Sequence, residues 1–237
     1  MPAQSFSFKN PISLVAGSFG DSQTIASETP DSLRQQCDIA EIRLDLIFPE
    51  FEAKGSNLWK HLHPFPLLFT ARCHSEGSPF DFNTGERAEM LKAAIADAAL
   101  IDIEAKNASS MTSVISAANA AGVPWIASYH DFDQLPSRQK LETHAEIARE
   151  AGAAAFKCAA KLRTMDDLTA LAHFQISEHS IPVATMGMGV LAPVSRLLCA
   201  QAGSVLNYGY VGKTETAPGQ WSAKQLRDCI HSLHPFH

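Results

Sequence analysis

No apolar run in the sequence approaches the roughly 20 residues that a membrane-spanning helix requires. Residues 1–11 hold no basic stretch followed by an apolar one, so an export signal is not expected there and a cytoplasmic location is. Basic residues are in the minority: 19 Lys and Arg stand against 25 Asp and Glu, a net charge of −6. Nucleic-acid-binding surfaces show a basic excess or stripe, so that partner is not expected either. An anionic ligand would have to find its positive partners locally, inside a site on an acidic body. The five cysteines (Cys37, Cys73, Cys158, Cys199, Cys229) are odd in number, widely spaced and free of any Cys-x-x-Cys, which suits reduced thiols rather than a disulfide framework. His61 and His63, and the C-terminal His231, His234 and His237, have no Cys or acidic ligand set beside them, so no metal is expected. No Pro/Gly/Ser-rich linker and no low-complexity tract divides the chain, and 1–237 reads as a single domain.

What is present is an alternation. Eight short apolar or β-branched runs, at 12–17, 39–47, 66–72, 100–106, 125–130, 153–158, 181–186 and 204–210, predict strands. Alanine-rich amphipathic segments at 84–99, 109–121, 137–151, 164–178 and 192–202 predict helices between them, with a last helix from about Ser222 to Leu233. Start signals stand at Asn83 or Thr84 and at Ser109 or Ser110; stop signals are Gly122 followed by Pro124, and Gly152. Strands separated by helices imply parallel pairing with crossover connections, and eight such units in this length predict a (β/α)8 barrel.

Barrel strands are covered on both faces and normally read as continuous apolar runs. Several here break that rule near their C-terminal ends, where barrel active sites lie. Glu41, Arg43 and Asp45 alternate along the second strand and so share one face, as do Asp102 and Glu104 on the fourth. Charges aimed into a barrel form either an internal ion-pair layer or contacts to a polar ligand. The third strand ends at Arg72 with Glu76 just beyond, and the fifth ends in His130. The sixth, Ala153 to Ala160, is built of small residues around one lysine, Lys157. Lysine is rarely buried without a partner or a task, and desolvation lowers its pKa, freeing the amine to attack a carbonyl. Ala155 and Ala159 on the same face would leave room for a substrate. Gly187-Met188-Gly189-Val190-Leu191-Ala192 matches G-x-G-x-x-A, but the following strand lacks the acidic residue that grips a ribose. A substrate-binding helix N-terminus fits that segment better than a dinucleotide site.

Taken in order, these motifs resemble the type I 3-dehydroquinate dehydratases over nearly the whole chain. Glu41-Ile42-Arg43-Leu44-Asp45 is similar to that family's Glu-x-Arg-x-Asp, and Arg72 with Glu76-Gly77 to its Arg-x3-Glu-Gly. Ser128-Tyr129-His130-Asp131-Phe132 resembles the catalytic histidine motif, with Lys157 on the next strand at the family's spacing. Ser195-Arg196 resembles the carboxylate-binding arginine, and Thr216-Ala217-Pro218-Gly219-Gln220 the closing loop. Ala192 stands where glycine is frequent, Thr216 where serine is common, and an unusual Cys158-Ala159-Ala160-Lys161 follows the lysine. The resemblance implies a cofactor-free hydro-lyase of the shikimate pathway acting on 3-dehydroquinate, and a homodimer. It implies that Lys157 forms an imine with the C3 ketone and that His130 moves the C2 proton and the C1 hydroxyl. Glu76 would orient His130, Arg196 would hold the carboxylate, and Glu41, Arg43, Arg72, Thr216 and Gln220 would bind hydroxyls and close the site. The residues alone leave two rivals: a phosphosugar aldolase of the same barrel type, and a non-catalytic binding barrel.

Overall fold

The computed structural model describes residues 6–8 and 12–233. In chain order the elements are β1 (Leu14–Phe19), α1 (Ser22–Ser27), α2 (Pro30–Arg34), β2 (Ile39–Arg43), α3 (Phe48–Lys54), β3 (Leu67–Thr70), α4 (Thr84–Ala94), β4 (Leu100–Glu104) and α5 (Thr112–Ala120). They continue with β5 (Trp125–Asp131), α6 (Arg138–Glu150), β6 (Ala155–Lys161), α7 (Met165–Ile176), β7 (Val183–Met188), α8 (Ala192–Gln201), β8 (Leu206–Tyr210) and α9 (Ala223–His231). The strands are parallel and lie in the order β7-β6-β5-β4-β3-β2-β1-β8. At the seam the Val205 N–H donates to the Val183 carbonyl at 3.1 Å, which brings the eighth strand round to the seventh. The expected (β/α)8 barrel is the architecture found.

Proline marks the entry to three strands. Pro66, Pro124 and Pro182 each precede a strand, and each carbonyl accepts from the neighbouring strand, from the Ala40, Ile101 and Phe156 N–H groups respectively. Proline has no N–H to offer a ladder, so it is tolerated at a strand's first position and not beyond it. Helix starts are equally local: Asn83 caps α4 in a capping box with Glu86, and Thr164 caps α7 in one with Asp167. Ser109 and Ser110 do not cap α5. They lie in a turn that follows a short 3-10 helix over Ala105–Asn107, and α5 begins from Met111, which has no side chain able to cap.

Burial divides the barrel into two apolar layers. The outward faces of the strands pack under the helices in one continuous core that includes Trp59, Phe69, Trp125 and Phe156. A smaller cluster lies within the barrel: Ala16, Ile39, Leu68, Leu100, Ile126, Ala155, Ala184 and Leu206 fill its N-terminal end, with Phe6 and Phe8 packed against it. The lower interior is therefore solid, as barrel interiors are. Only the C-terminal end is left for polar side chains, and all the candidate residues collect there. All five cysteines are free thiols, and Cys37 is held up at about 12 by burial and by Asp38 beside it. His61 Nε2 lies 3.0 Å from the Ile25 carbonyl and His63 3.3 Å from Asp97; His234 and His237 fall outside the described residues. Among the described residues no helix is long and apolar enough to cross a membrane.

Candidate active site

A cavity of about 260 Å³ opens at the C-terminal end of the strands. Its walls include Lys157, His130, Glu76, Glu41, Arg43, Arg72, Arg196, Thr216 and Gln220, so residues from 180 positions of sequence are brought to one place. Asp45 is not among them. β2 ends at Arg43, and Asp45 sits in the following turn, fully buried, where it takes a two-pronged bond from Arg43 at 2.9 and 2.7 Å and one from the Arg72 main-chain N–H at 3.2 Å. The three charges of the second strand are thus divided: two face the cavity, and the third holds one of them in place.

Lys157 lies in the middle of β6 and is 4 % exposed. Its Nζ donates to Asp102 Oδ2 at 3.0 Å and stands 3.9 Å from the centre of the Tyr208 ring. Burial lowers its pKa; Asp102 opposes that shift and Arg72 adds to it. The net direction is downward, which favours the free amine. Asp102 in turn meets Arg72 Nη2 at 2.9 Å. Burial resists ionisation of that carboxyl, but Arg72 and Lys157 outweigh it and hold the group well below the ordinary carboxylate range.

The ion-pair layer and the ligand cavity prove to coexist rather than compete. Arg72 lies between Asp102 and Glu104, 3.2 Å from the latter through Nη1, and Glu104 also pairs with the buried Arg87. Glu104 further accepts from the Cys73 N–H at 2.9 Å and from Asn107 at 2.9 Å, which satisfies both oxygens. Such a network is tolerable in a dry interior only when each member is paired. It forms the floor on which Lys157 rests. Glu41 is accommodated differently, by hydroxyls: Ser18 and Thr70 both donate to it, the latter at 2.8 Å.

His130, next to last in β5, faces the same space. Glu76 Oε2 accepts from the His130 main-chain N–H at 3.0 Å and lies 3.0 Å from the ring Nδ1. A carboxylate there requires the proton on Nδ1 and leaves Nε2 with a lone pair. Burial pushes the imidazole well below its usual pKa, and Arg72 and Lys157 push the same way. Glu76 is raised by its own burial, against which Arg72 and Lys106 act; Lys106 Nζ lies 3.2 Å from its second oxygen. The next residue, Gly77, has φ +105 and faces the Phe132 ring so closely that a Cβ would come within 2.6 Å of it. Only glycine turns the chain there and lets Glu76 reach His130.

Arg196, on α8, is 1 % exposed and faces the cavity, with no carboxylate partner among the described residues. Its Nη1 donates to the Tyr208 carbonyl at 2.6 Å, and its Nε has no hydrogen-bond partner among the described residues. Burial without an anion holds its pKa down at about 10. A desolvated guanidinium in that condition is a site for an acidic ligand group.

The loop between β8 and α9 covers the mouth. Gln220 Oε1 accepts from Thr216 through its main-chain N–H at 3.1 Å and its hydroxyl at 2.8 Å. The Gly189 N–H donates to the Pro218 carbonyl at 3.0 Å, which fastens the loop to the end of β7. The G-x-G-x-x-A segment is therefore a seat for this loop. Several wall residues carry no role legible in the sequence alone: Ser18, Met186, Met188 and Tyr208. Continuing the two-residue alternation from Lys157 and Glu41 onto the neighbouring strands would have found them.

Barrel and cavity together are those of a (β/α)8 protein with a desolvated lysine at the foot of its site, a class suited to covalent chemistry on a carbonyl. The comparisons narrow the class. The family described as "Type I 3-dehydroquinase" matches residues 16–237. A 3-dehydroquinate dehydratase of Methanocella arvoryzae is 31% identical over 214 residues, covering 90% of this chain and 94% of the relative. A catabolic 3-dehydroquinate dehydratase of Acinetobacter baylyi is 30% identical, covering 90% of this chain and 82% of its own. The crystal structure of the type I enzyme from Clostridium difficile superposes with a TM-score of 0.83 over 98% of this chain and 97% of that one, at 23% identity. This chain belongs to the type I 3-dehydroquinase family.

Proposed function

We propose that the protein removes water from 3-dehydroquinate to give 3-dehydroshikimate through an imine on Lys157. One observation carries the choice of substrate: a buried arginine with no anion of its own opens on the same cavity as a buried lysine of lowered pKa. A ligand with one carboxylate and one ketone, separated by a small ring, satisfies both.

The free amine of Lys157 attacks the C3 ketone, and the carbonyl oxygen leaves as water, so that nitrogen becomes a cationic imine. That cation draws electron density from C2 and acidifies its proton. His130 Nε2, left basic by the Glu76 contact to Nδ1, takes the proton. The imidazolium then gives it to the C1 hydroxyl, which departs as the second water, and hydrolysis of the imine restores Lys157. Glu41, Arg43 and Arg72 bind the ring hydroxyls and Arg196 the carboxylate, while Thr216 and Gln220 close the loop over them. The imine supplies the electron sink, so no cofactor enters this scheme. The apolar side chains of Val190, Val194 and Leu198, exposed at four-residue spacing, support a homodimer, and the cytoplasm is the proposed setting.

The test is direct: the protein is mixed with 3-dehydroquinate and the rise of conjugated-enone absorbance is followed, with proton NMR of the product. Appearance of 3-dehydroshikimate at a rate proportional to protein supports the proposal. Substrate that remains unchanged contradicts it.

A further inference from the structure

The imine nitrogen forms where Lys157 Nζ stands, and the surroundings of that atom suit an imine better than a resting ammonium. An ammonium carries three N–H donors, yet among the described residues a single acceptor, Asp102 Oδ2 at 3.0 Å, is provided for it. On another side stands the ring of Tyr208, its centre 3.9 Å away. One acceptor and one π-face are what a cationic imine needs, because it keeps one N–H and presents planar, weakly hydrated positive charge elsewhere. Catalytic groups are complementary to the high-energy species rather than to the resting state, and this pair has that character.

Other features of Tyr208 agree. It is 4 % exposed and occupies the inward face of β8 opposite Ala16, whose small side chain leaves the ring its space. Its hydroxyl is buried and makes no hydrogen bond among the described residues, so no polar contact there accounts for the ring's position. Its carbonyl accepts the Arg196 bond at 2.6 Å, so the same residue fixes the carboxylate anchor relative to the nitrogen.

We propose that Tyr208 is a further catalytic residue, whose ring face holds the positively charged imine nitrogen of the Lys157 adduct. No proton or electron passes through it. The N–C bond forms and the ketone oxygen leaves as water as before, and the ring acts on the charge that this loss creates. An aromatic face attracts such a cation more strongly when water is excluded. The hydroxyl is dispensable in this role, and the electron-rich ring is not.

The inference rests on the dehydratase reading, and the test separates the two. Tyr208→Phe, Tyr208→Leu and full-length proteins carrying mono-, di- and trifluorinated phenylalanine at position 208 are compared with the unaltered protein. The readouts are kcat, KM and the rate of borohydride-trapped adduct formation with 3-dehydroquinate. Tyr208→Phe is expected to keep kcat within about threefold, and Tyr208→Leu to lose about thirtyfold, the size of a desolvated cation–π contact. Successive fluorines, which drain the ring face while keeping its shape, are expected to lower kcat and trapping stepwise with KM little changed. Should Tyr208→Leu fail to fold, the fluorinated series decides alone. A flat series with normal trapping in the unaltered protein overturns the role of Tyr208 and leaves the dehydratase reading intact. No adduct in the unaltered protein overturns both.

Discussion

A single oxygen of Glu76 fixes His130 at two points, lying 3.0 Å from its main-chain nitrogen and 3.0 Å from its ring Nδ1. The first contact sets where the residue sits and the second sets which ring nitrogen is basic. Glu76→Gln keeps the shape but removes the charge that selects the tautomer. The expected result is a fall in kcat of about a hundredfold, in the range of general acid–base contributions, with KM changed little and imine trapping preserved. Steady-state kinetics with mass detection of the adduct check it, and a variant with wild-type kcat would show that the carboxylate is only structural.

The same histidine sets a pH dependence. Burial, Arg72 and Lys157 hold its pKa well below the ordinary value of about 6.5, so the neutral base survives into mildly acidic solution. The acid limb of kcat, measured on saturated enzyme, is expected below about pH 6.5. A limb above that value would mean that the imidazolium is stabilised rather than suppressed.

Arg196 and Glu104 are both buried and charged, yet their removal should have opposite consequences for folding. Arg196 has no anion, so Arg196→Leu relieves a desolvated cation and is expected to leave thermal stability equal or higher while KM rises at least about a hundredfold. Glu104→Ala strands Arg72 and Arg87 without their shared partner and is expected to cost about 3–5 kcal/mol. Denaturant titration of the two variants side by side distinguishes them. The sign with pH follows from the lowered pKa values of Asp102 and Glu104. Their stabilisation is complete above their unfolded values near about 4 and is lost as pH falls through the folded ones. Unfolding midpoints should therefore drop steeply on acidification below about pH 4, and Glu104→Ala should flatten that slope.

The barrel and the candidate side chains on its strands are legible where they disobey a local rule: Lys157 is a charge in an alanine strand, and Glu41 and Arg43 alternate where apolar residues belong, whereas Arg196, Thr216 and Gln220 break no such rule and rest on the family resemblance. Tyr208, Met186 and Met188 obey the rule, since an apolar inward residue in a barrel strand looks like core, and so they went unassigned. The strand ends were misplaced for a related reason. Runs at 12–17, 153–158 and 181–186 became Leu14–Phe19, Ala155–Lys161 and Val183–Met188. Apolar residues report burial, which starts before the first ladder bond, whereas the polar C-terminal ends where the site is built still pair. Helices α1 to α3 are only five to seven residues long, too short to display a 3.6-residue period.

Gly219 makes the closing loop testable. Its φ is +74, and a Cβ there would fall 2.2 Å from the Gly189 carbonyl oxygen, next to the bond that fastens Pro218 to Gly189. Gly219→Ala is expected to unseat the loop, raising KM and lowering kcat together while the melting temperature moves little, because the loop adds few contacts to the core. Unchanged kinetics would show that the loop's seat is not needed for turnover.

The most direct measurement is borohydride reduction of the full chain in the presence of 3-dehydroquinate, followed by intact-mass and peptide mapping. One reduced adduct on Lys157, absent without substrate and retained in His130→Ala as its turnover collapses, is the expected result. An adduct on another lysine, or turnover with no trappable adduct, would contradict the assignment of Lys157 as the imine-forming residue.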